Sequence, residues 1–251
     1  MNKTDIDWKP LALVPLLMLL VVPLIGSAST WLTLTAAGVA MGLIIFVIAS
    51  GLTLVFGLMD VLNFGHGVFI TLGAFVATAV LGSMSDWTQS AQLWRNLVAV
   101  VPAMLVAMMV AGAVGLAFER FIVRPVYGQH LKQILITMGG MIIGEELIKV
   151  IWGPQQIALP LPEGLRGAIL IGDAAIEKYR LLAMVVGLLV FAALAWTLSR
   201  TKIGLLIRAG VQDREMVEAL GYRIRRLFIG VFVMGSALAG LGGVMWGLYQ
   251  Q

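Results

Sequence analysis

Three polar side chains interrupt a hydrocarbon-rich stretch, Gly51 to Gly73 (GLTLVFGLMDVLNFGHGVFITLG): Asp60, Asn63 and His66, set among Gly57, Gly65 and Gly67. Polar and ionisable groups at membrane depth are costly, and they usually face a cavity or another helix. Glycine lets a helix break or lets a second backbone come close. The pattern predicts two helical segments joined by a short polar break near residues 58–67, beside a permeation path. Asn63, Phe64, Gly65, His66 and Gly67 are the candidate pathway residues. The same spacing also describes an ordinary turn between two spanning helices, with Asn63 as a helix cap.

A second polar stretch, Arg200 to Arg226 (RTKIGLLIRAGVQDREMVEALGYRIRR), is too polar to cross a membrane. Within it Met216, Val217 and Leu220 recur at helical spacing. Asp213 stands where an N-cap would, and Gly221 where a helix stops. That predicts a short amphipathic helix offered to the cytoplasm. Basic amphipathic helices also lie on anionic headgroups, but the acids Asp213, Glu215 and Glu218 suit a protein partner better. Asp213, Glu215, Met216, Val217, Glu218 and Gly221 are the candidate docking residues. Elsewhere Glu145 and Lys149 lie four apart in an apolar run, where pairing lowers the cost of insertion. They read as a polar lining or as a pair snorkelling to the interface near Trp152.

Other chemistry is excluded by what the chain lacks. There is no GxxxxGK[ST] phosphate loop and no HExxH, and the two histidines, His66 and His130, are far apart. No G-x-S-x-G elbow occurs. Asp60 has no partner acid at membrane depth, since Asp86, Asp173 and Asp213 fall in loops. No catalytic residue, metal site or cofactor is expected.

The elements that must position these groups are membrane helices. Of 251 residues, 60% are hydrophobic and 12% charged, with a mean hydropathy of +0.99, whereas soluble chains carry about 25% charged residues. The absence of cysteine excludes disulfides and thiolate sites. The net charge of +4 comes from loop residues rather than a basic patch interleaved with aromatics, so no nucleic-acid partner is expected. Seven apolar runs follow: Leu11–Gly26, Trp31–Leu58, Val68–Leu81, Leu97–Phe118, Leu131–Trp152, Leu181–Leu198 and Leu227–Leu248. Trp31–Leu58 exceeds the ~20 residues needed to cross, so it must tilt or break. Val68–Leu81 is short, which suits a segment entering from the polar break. GxxxG spacings at Gly38/Gly42, Gly140/Gly144 and Gly243/Gly247 predict close helix packing. The expected fold class is all-α, a polytopic transmembrane helix bundle forming one domain over 1–251, with a cytoplasmic loop at 199–226.

Orientation follows from lysine and arginine. With the N-terminus inside, the interior segments hold Lys3, Lys9, Arg120, Arg124, Lys132, Arg200, Lys202, Arg208, Arg214, Arg223, Arg225 and Arg226, and the exterior loops Arg95, Arg166, Lys178 and Arg180. Twelve against four is a clear positive-inside bias. Gly26-Ser27-Ala28 resembles a signal cleavage site, against which Asp5 and Asp7 weigh. Pro154, Pro160 and Pro162 predict an irregular exterior loop over Gly153 to Tyr179.

Three stretches resemble the permeases of bacterial ABC importers for branched-chain amino acids, of the high-affinity leucine–isoleucine–valine type. They are GLTLVFGLMDVLNFGHG, RPVYGQHLKQILITMG with the later WGP, and TKIGLLIRAGVQDREMVEALGYRIRR. The third is similar to the loop by which such a permease contacts its ATPase. There Glu215 and Gly221 keep the spacing of the family's Glu-Ala-Ala…Gly pattern, while Met216 and Val217 replace the alanines. The resemblance implies a transport subunit in the bacterial inner membrane. Its implied partners are a second permease subunit, two cytoplasmic ABC ATPases and an external solute-binding protein. It also implies further C-terminal spans beyond this sequence. A urea or short-chain amide permease resembles the chain in the same places, and a passive channel is the alternative from a different class.

Overall fold

The structure, a computed structural model, describes residues 8–155 and 157–250. Lys3, counted above for orientation, and Asp5 and Asp7, weighed against signal cleavage, lie outside the described residues. Proline divides the first apolar run. Helix α1 (Trp8–Leu20) gives way to a single turn, α2 (Val22–Ile25), with Pro23 in its first turn and Gly26 closing it at φ 69°. Proline lacks the N–H that a continuing helix would use, so the span expected over 11–26 is not one helix.

Helix α3 (Ala28–Met59) is capped by Ser27, whose Oγ accepts from the Thr30 N–H. It runs 32 residues without interruption, about 48 Å at ~1.5 Å per residue against ~30 Å of hydrocarbon. It does not break. After a non-helical passage come α4 (His66–Ser83), the short α5 (Ser85–Thr88) and α6 (Leu93–Phe118). A π-helical turn (Glu119–Val123) and a 3₁₀ turn (Arg124–Val126) prolong α6. The chain continues through α7 (His130–Trp152), strands β1 (Ala168–Ile171) and β2 (Ala174–Glu177), α8 (Lys178–Arg200), α9 (Lys202–Gln212), α10 (Arg214–Ala219) and α11 (Ile224–Tyr249).

Among the described residues, five helical segments are long and apolar enough to cross a membrane: Ala28–Met59, His66–Ser83, Leu93–Val126, Lys178–Arg200 and Ile224–Tyr249. Helix α7 has the length, at 23 residues, but carries Lys132, Glu145, Glu146 and Lys149. Leu135, Ile142, Ile143, Leu147 and Val150 nevertheless give it an exposed apolar face. Lys149 pairs with Glu146 at 2.7 Å, not with Glu145 as the spacing suggested, and both partners are exposed. The expected irregular exterior loop contains the antiparallel β1–β2 hairpin, tied to α3 where the Ala175 N–H donates to Thr33 Oγ1 at 3.2 Å.

Helix α11 is the centre of the bundle. Of its 26 residues 15 are buried, compared with three of the 23 in α8, and α3, α4 and α6 pack around it. Small residues make the crossings possible. Gly235 meets the backbone of Gly51, Gly73 meets that of Gly240, and Gly243 meets that of Ile70, each too close for a Cβ. Ser236 packs likewise on Gly115 of α6. At the end opposite the basic loops, buried Asn96 donates to the Trp87 and Ser90 carbonyls at 2.8 and 2.9 Å and accepts from the Gly164 N–H.

Of the three GxxxG pairs, Gly140/Gly144 and Gly243/Gly247 receive a neighbour, whereas Gly38 and Gly42 have nothing within 4 Å. Gly243→Val is expected to destabilise the detergent-solubilised protein by about 1–3 kcal/mol through overpacking, and Gly38→Val by less than about 0.5 kcal/mol. Thermal unfolding of the two variants measures the difference.

Candidate functional site

Asp60 is the one non-glycine residue among those described with positive φ, at 52°. It caps α3 in the left-handed region, which aspartate tolerates better than most residues. The chain there turns back along the helix it has just left. Residues 60–65 are non-helical, and α4 begins at His66. His66 Nε2 lies 3.3 Å from the Ile48 carbonyl, and its ring rests against Gly51. From Ile48 to Met59 is about three helical turns, or ~16 Å, and six extended residues reach ~20 Å. The break thus climbs back into the bundle, and α4 starts well inside the end of α3.

The climbing segment finds partners on α3 and α7. Val61, Asn63 and His66 are buried. Asn63 Oδ1 accepts from the Gly65 N–H at 3.0 Å, a local turn that precedes the helix; the N-cap of α4 is Gly65, with no side-chain cap, so Asn63 is not the helix cap that its position suggested. Thr137 of α7, fully buried, accepts from the Phe64 N–H at 3.3 Å and places its hydroxyl 3.3 Å from the Leu62 carbonyl and 2.7 Å from that of Gln133. Gln133 in turn donates to the Val126 carbonyl at 3.1 Å. Gly65 abuts the Phe118 ring, where a Cβ would approach to 2.7 Å, and that ring meets Phe69 edge-on and stacks with Phe232.

Ile48, Leu52 and Phe56 of α3, with Leu62, Phe64, His66, Gly67 and Ile70 across from them, line an open groove of about 710 Å³. Its walls are apolar. Asn63 and His66 lie at its floor, where Asn63 Nδ2 and His66 Nδ1 have no hydrogen-bond partner among the described residues. Phe64 projects from the wall, half exposed. All five sequence-derived pathway residues therefore fall on one short segment, four of them lining this groove and Gly65 facing Phe118 behind it.

The second candidate region forms at the basic end. Asp213 Oδ1 accepts from the Met216 N–H at 2.9 Å, capping α10, and Gly221 closes it at φ 85°. Met216, Leu220 and Glu218 are exposed, whereas Val217 is buried and turned toward Ile207 and Ile224. The side chains of Arg214 and Glu215 lie outside the described ones. Helix α9 was missed in the sequence, although Thr201, whose Oγ1 accepts from the Gly204 N–H, caps it. Gly204, Ile207 and Gly210 at three-residue spacing were the available signal.

Thr137 and Gln133 were missed as well. Gln133, Thr137, Gly140 and Gly144 share one helical face, and that stripe of polar and small residues was the signal. Glu119, fully buried in the π-helical turn, was passed over as part of a basic loop. Among the described residues no group of three or more metal-binding side chains converges.

Residues 34–251 match the family described as branched-chain amino acid transport system / permease component. The chain belongs to this family. It is similar to the high-affinity branched-chain amino acid transport system permease protein LivH of Salmonella typhimurium and to that of Escherichia coli K12, each 27% identical over 218 residues. It is also similar to the corresponding protein BraD of Pseudomonas aeruginosa, 28% identical over 220 residues. Each match covers 84% of this chain and 69% of the relative. No solved structure matches the chain. Family membership and the apolar helices make this a multi-pass membrane protein and a transporter permease component, and the break and the α9–α10 region are parts of that permease.

Thr137→Val keeps the shape of the clamp and removes its hydroxyl. The change is expected to cost about 1–3 kcal/mol, the price of buried peptide groups left unsatisfied, and to speed hydrogen exchange at the Phe64 amide. Unchanged exchange there would show that Thr137 does not hold the break.

Proposed function

We propose that the chain is the permease subunit of a bacterial ABC importer, carrying branched-chain or related hydrophobic amino acids into the cytoplasm through a path bordered by Asn63, Phe64, Gly65, His66 and Gly67. The names of the relatives support the solute class. The observation that carries the pathway assignment is the fold-back of residues 60–65, which sets two buried polar side chains at the floor of an apolar groove deep in the bundle. Polar and irregular backbone inside a membrane protein is tolerated where it is buried in protein or borders a cavity. Binding sites of transporters commonly lie near the bilayer midplane at such discontinuous helices.

In this reading the N-terminus is cytoplasmic and the basic end faces inward. A second permease subunit closes the open side of the groove, and an external binding protein delivers the solute. Of the two ATPase subunits, one docks on α10 of this chain through Asp213, Glu215, Met216 and Glu218, with Val217 and Gly221 setting the helix's seat and end. Nucleotide binding moves α9 and α10. Val217, Ile207 and Ile224 belong to the same buried cluster as Val61 and Phe118, so that movement reaches the break and shifts the population between outward and inward access.

Asn63→Leu and His66→Leu are each expected to reduce solute uptake about tenfold, as loss of one buried polar group does, while assembly with the ATPases is retained. Since the chain has no cysteine, single cysteines at 63 to 67 report access directly. Their reaction with a water-soluble reagent should change between nucleotide-free and nucleotide-bound complex. Labelling from the cytoplasmic side alone, insensitive to nucleotide, would reduce the stretch to a plain turn.

Glu215→Ala is expected to leave insertion intact, at a stability cost within about 0.5 kcal/mol, and to weaken co-purification of the ATPases. Wild-type uptake in a complete complex carrying this variant would refute the docking assignment.

A further inference from the structure

Among the described residues, Glu119 is the one carboxyl side chain with no exposed surface. It opens the π-helical turn that prolongs α6. Such turns within a helix often mark functional sites. One of its oxygens accepts from the Tyr127 hydroxyl at 2.6 Å, and the other has no partner among the described residues. An apolar side chain would occupy this place without the desolvation cost of a carboxyl group. The requirement it meets is therefore one of position.

The two ends of the Glu119–Tyr127 contact look in different directions. The residue before Glu119 is Phe118, the ring against which Gly65 of the break rests. Tyr127 lines a cavity of about 250 Å³ together with Asp60, His130, Gly210 of α9 and Phe228 of α11, and meets the Phe228 ring edge-on at 6.4 Å. Neither Glu119 nor Tyr127 lines the groove that holds Asn63 and His66. The hydrogen bond therefore bridges the π-helical turn, with the break on one side and the docking end on the other.

We infer that Glu119 is a positioning residue for transport: its hydrogen bond to Tyr127 fixes the π-helical turn and carries movement of α9 and the base of α11 to Phe118 and the 60–65 break. This role rests on the transport reading above. It differs from a pathway role because its loss uncouples solute movement from ATP hydrolysis without obstructing the path. It differs from a folding role because an uncharged side chain that keeps the acceptor oxygen suffices.

The test uses the complete complex in liposomes, with solute taken up per ATP hydrolysed as the readout, and Phe64→Cys labelling as a reporter of the break. Glu119→Leu and Tyr127→Phe are each expected to lower solute per ATP about tenfold, within the usual range of coupling between sites. ATP hydrolysis should persist, and the response of the label to nucleotide should vanish. Glu119→Gln retains an oxygen for the Tyr127 hydroxyl and should restore the ratio. The double variant Glu119→Leu/Tyr127→Phe should lose no more than either single change. Tyr127→Phe removes one oxygen atom, so it decides the question even if Glu119→Leu fails to assemble. A wild-type ratio in Tyr127→Phe, or a Glu119→Gln variant as impaired as Glu119→Leu, overturns the positioning role. If the unaltered complex itself moves no solute on ATP hydrolysis, the transport reading falls instead.

Discussion

Backbone N–H and C=O groups inside a bilayer have no water to bond, so any residue that leaves the helix must find its partners in the protein. Residues 60–65 live under that constraint, and much of the surrounding structure answers it. Asn63 turns its carbonyl oxygen onto the Gly65 amide, and Thr137 takes the Phe64 amide. His66 reaches the Ile48 carbonyl exposed along α3. Without α7 beside it the break would leave peptide groups unsatisfied. Helix α7 is accordingly placed with its polar and small face, Gln133 to Gly144, inward, and its apolar face outward.

A break of this kind needs a rigid frame, and α11 provides it. Its glycines bring the backbones of α3 and α4 into direct contact with it, so that α3, α4 and α6 are held by backbone geometry rather than by long side chains. Packing of this type lowers the freedom of helices to slide independently. At the basic end α9, α10 and the base of α11 meet Val61 and Phe118 through one shared apolar cluster. The arrangement separates a half joined by backbone contact at Gly73, Gly240 and Gly243 from a half in which polar joints, Glu119 with Tyr127 and Asp60 near His130, tie the helix ends together.

Much of this was legible in the chain itself. Apolar runs far beyond what a soluble domain carries gave the helical membrane bundle. Asn-Phe-Gly-His-Gly marked where helix stops, because polar side chains are costly against lipid and glycine lets a helix break. Asp213 and Gly221 marked the ends of α10, because a cap and a left-handed terminator are local chemistry, decided within a few residues. The division of the first run was equally local, and Pro23 marked it in the sequence.

Whatever depended on partners distant in sequence was settled by the tertiary structure. The sequence placed the break between two helices, and only packing showed that it climbs about three turns back along α3 to set His66 beside Ile48. Thr137 lies 73 residues from Phe64, and no periodicity announces such a contact. Val217 shares its spacing with Met216 and Leu220, but its direction, inward rather than outward, was decided by Ile207 and Ile224 packing behind it. Glu119 stood in the sequence as one more charge near arginines. Its burial and the hydrogen bond it accepts from Tyr127 are found only in the assembled bundle, where it opens a π-helical turn.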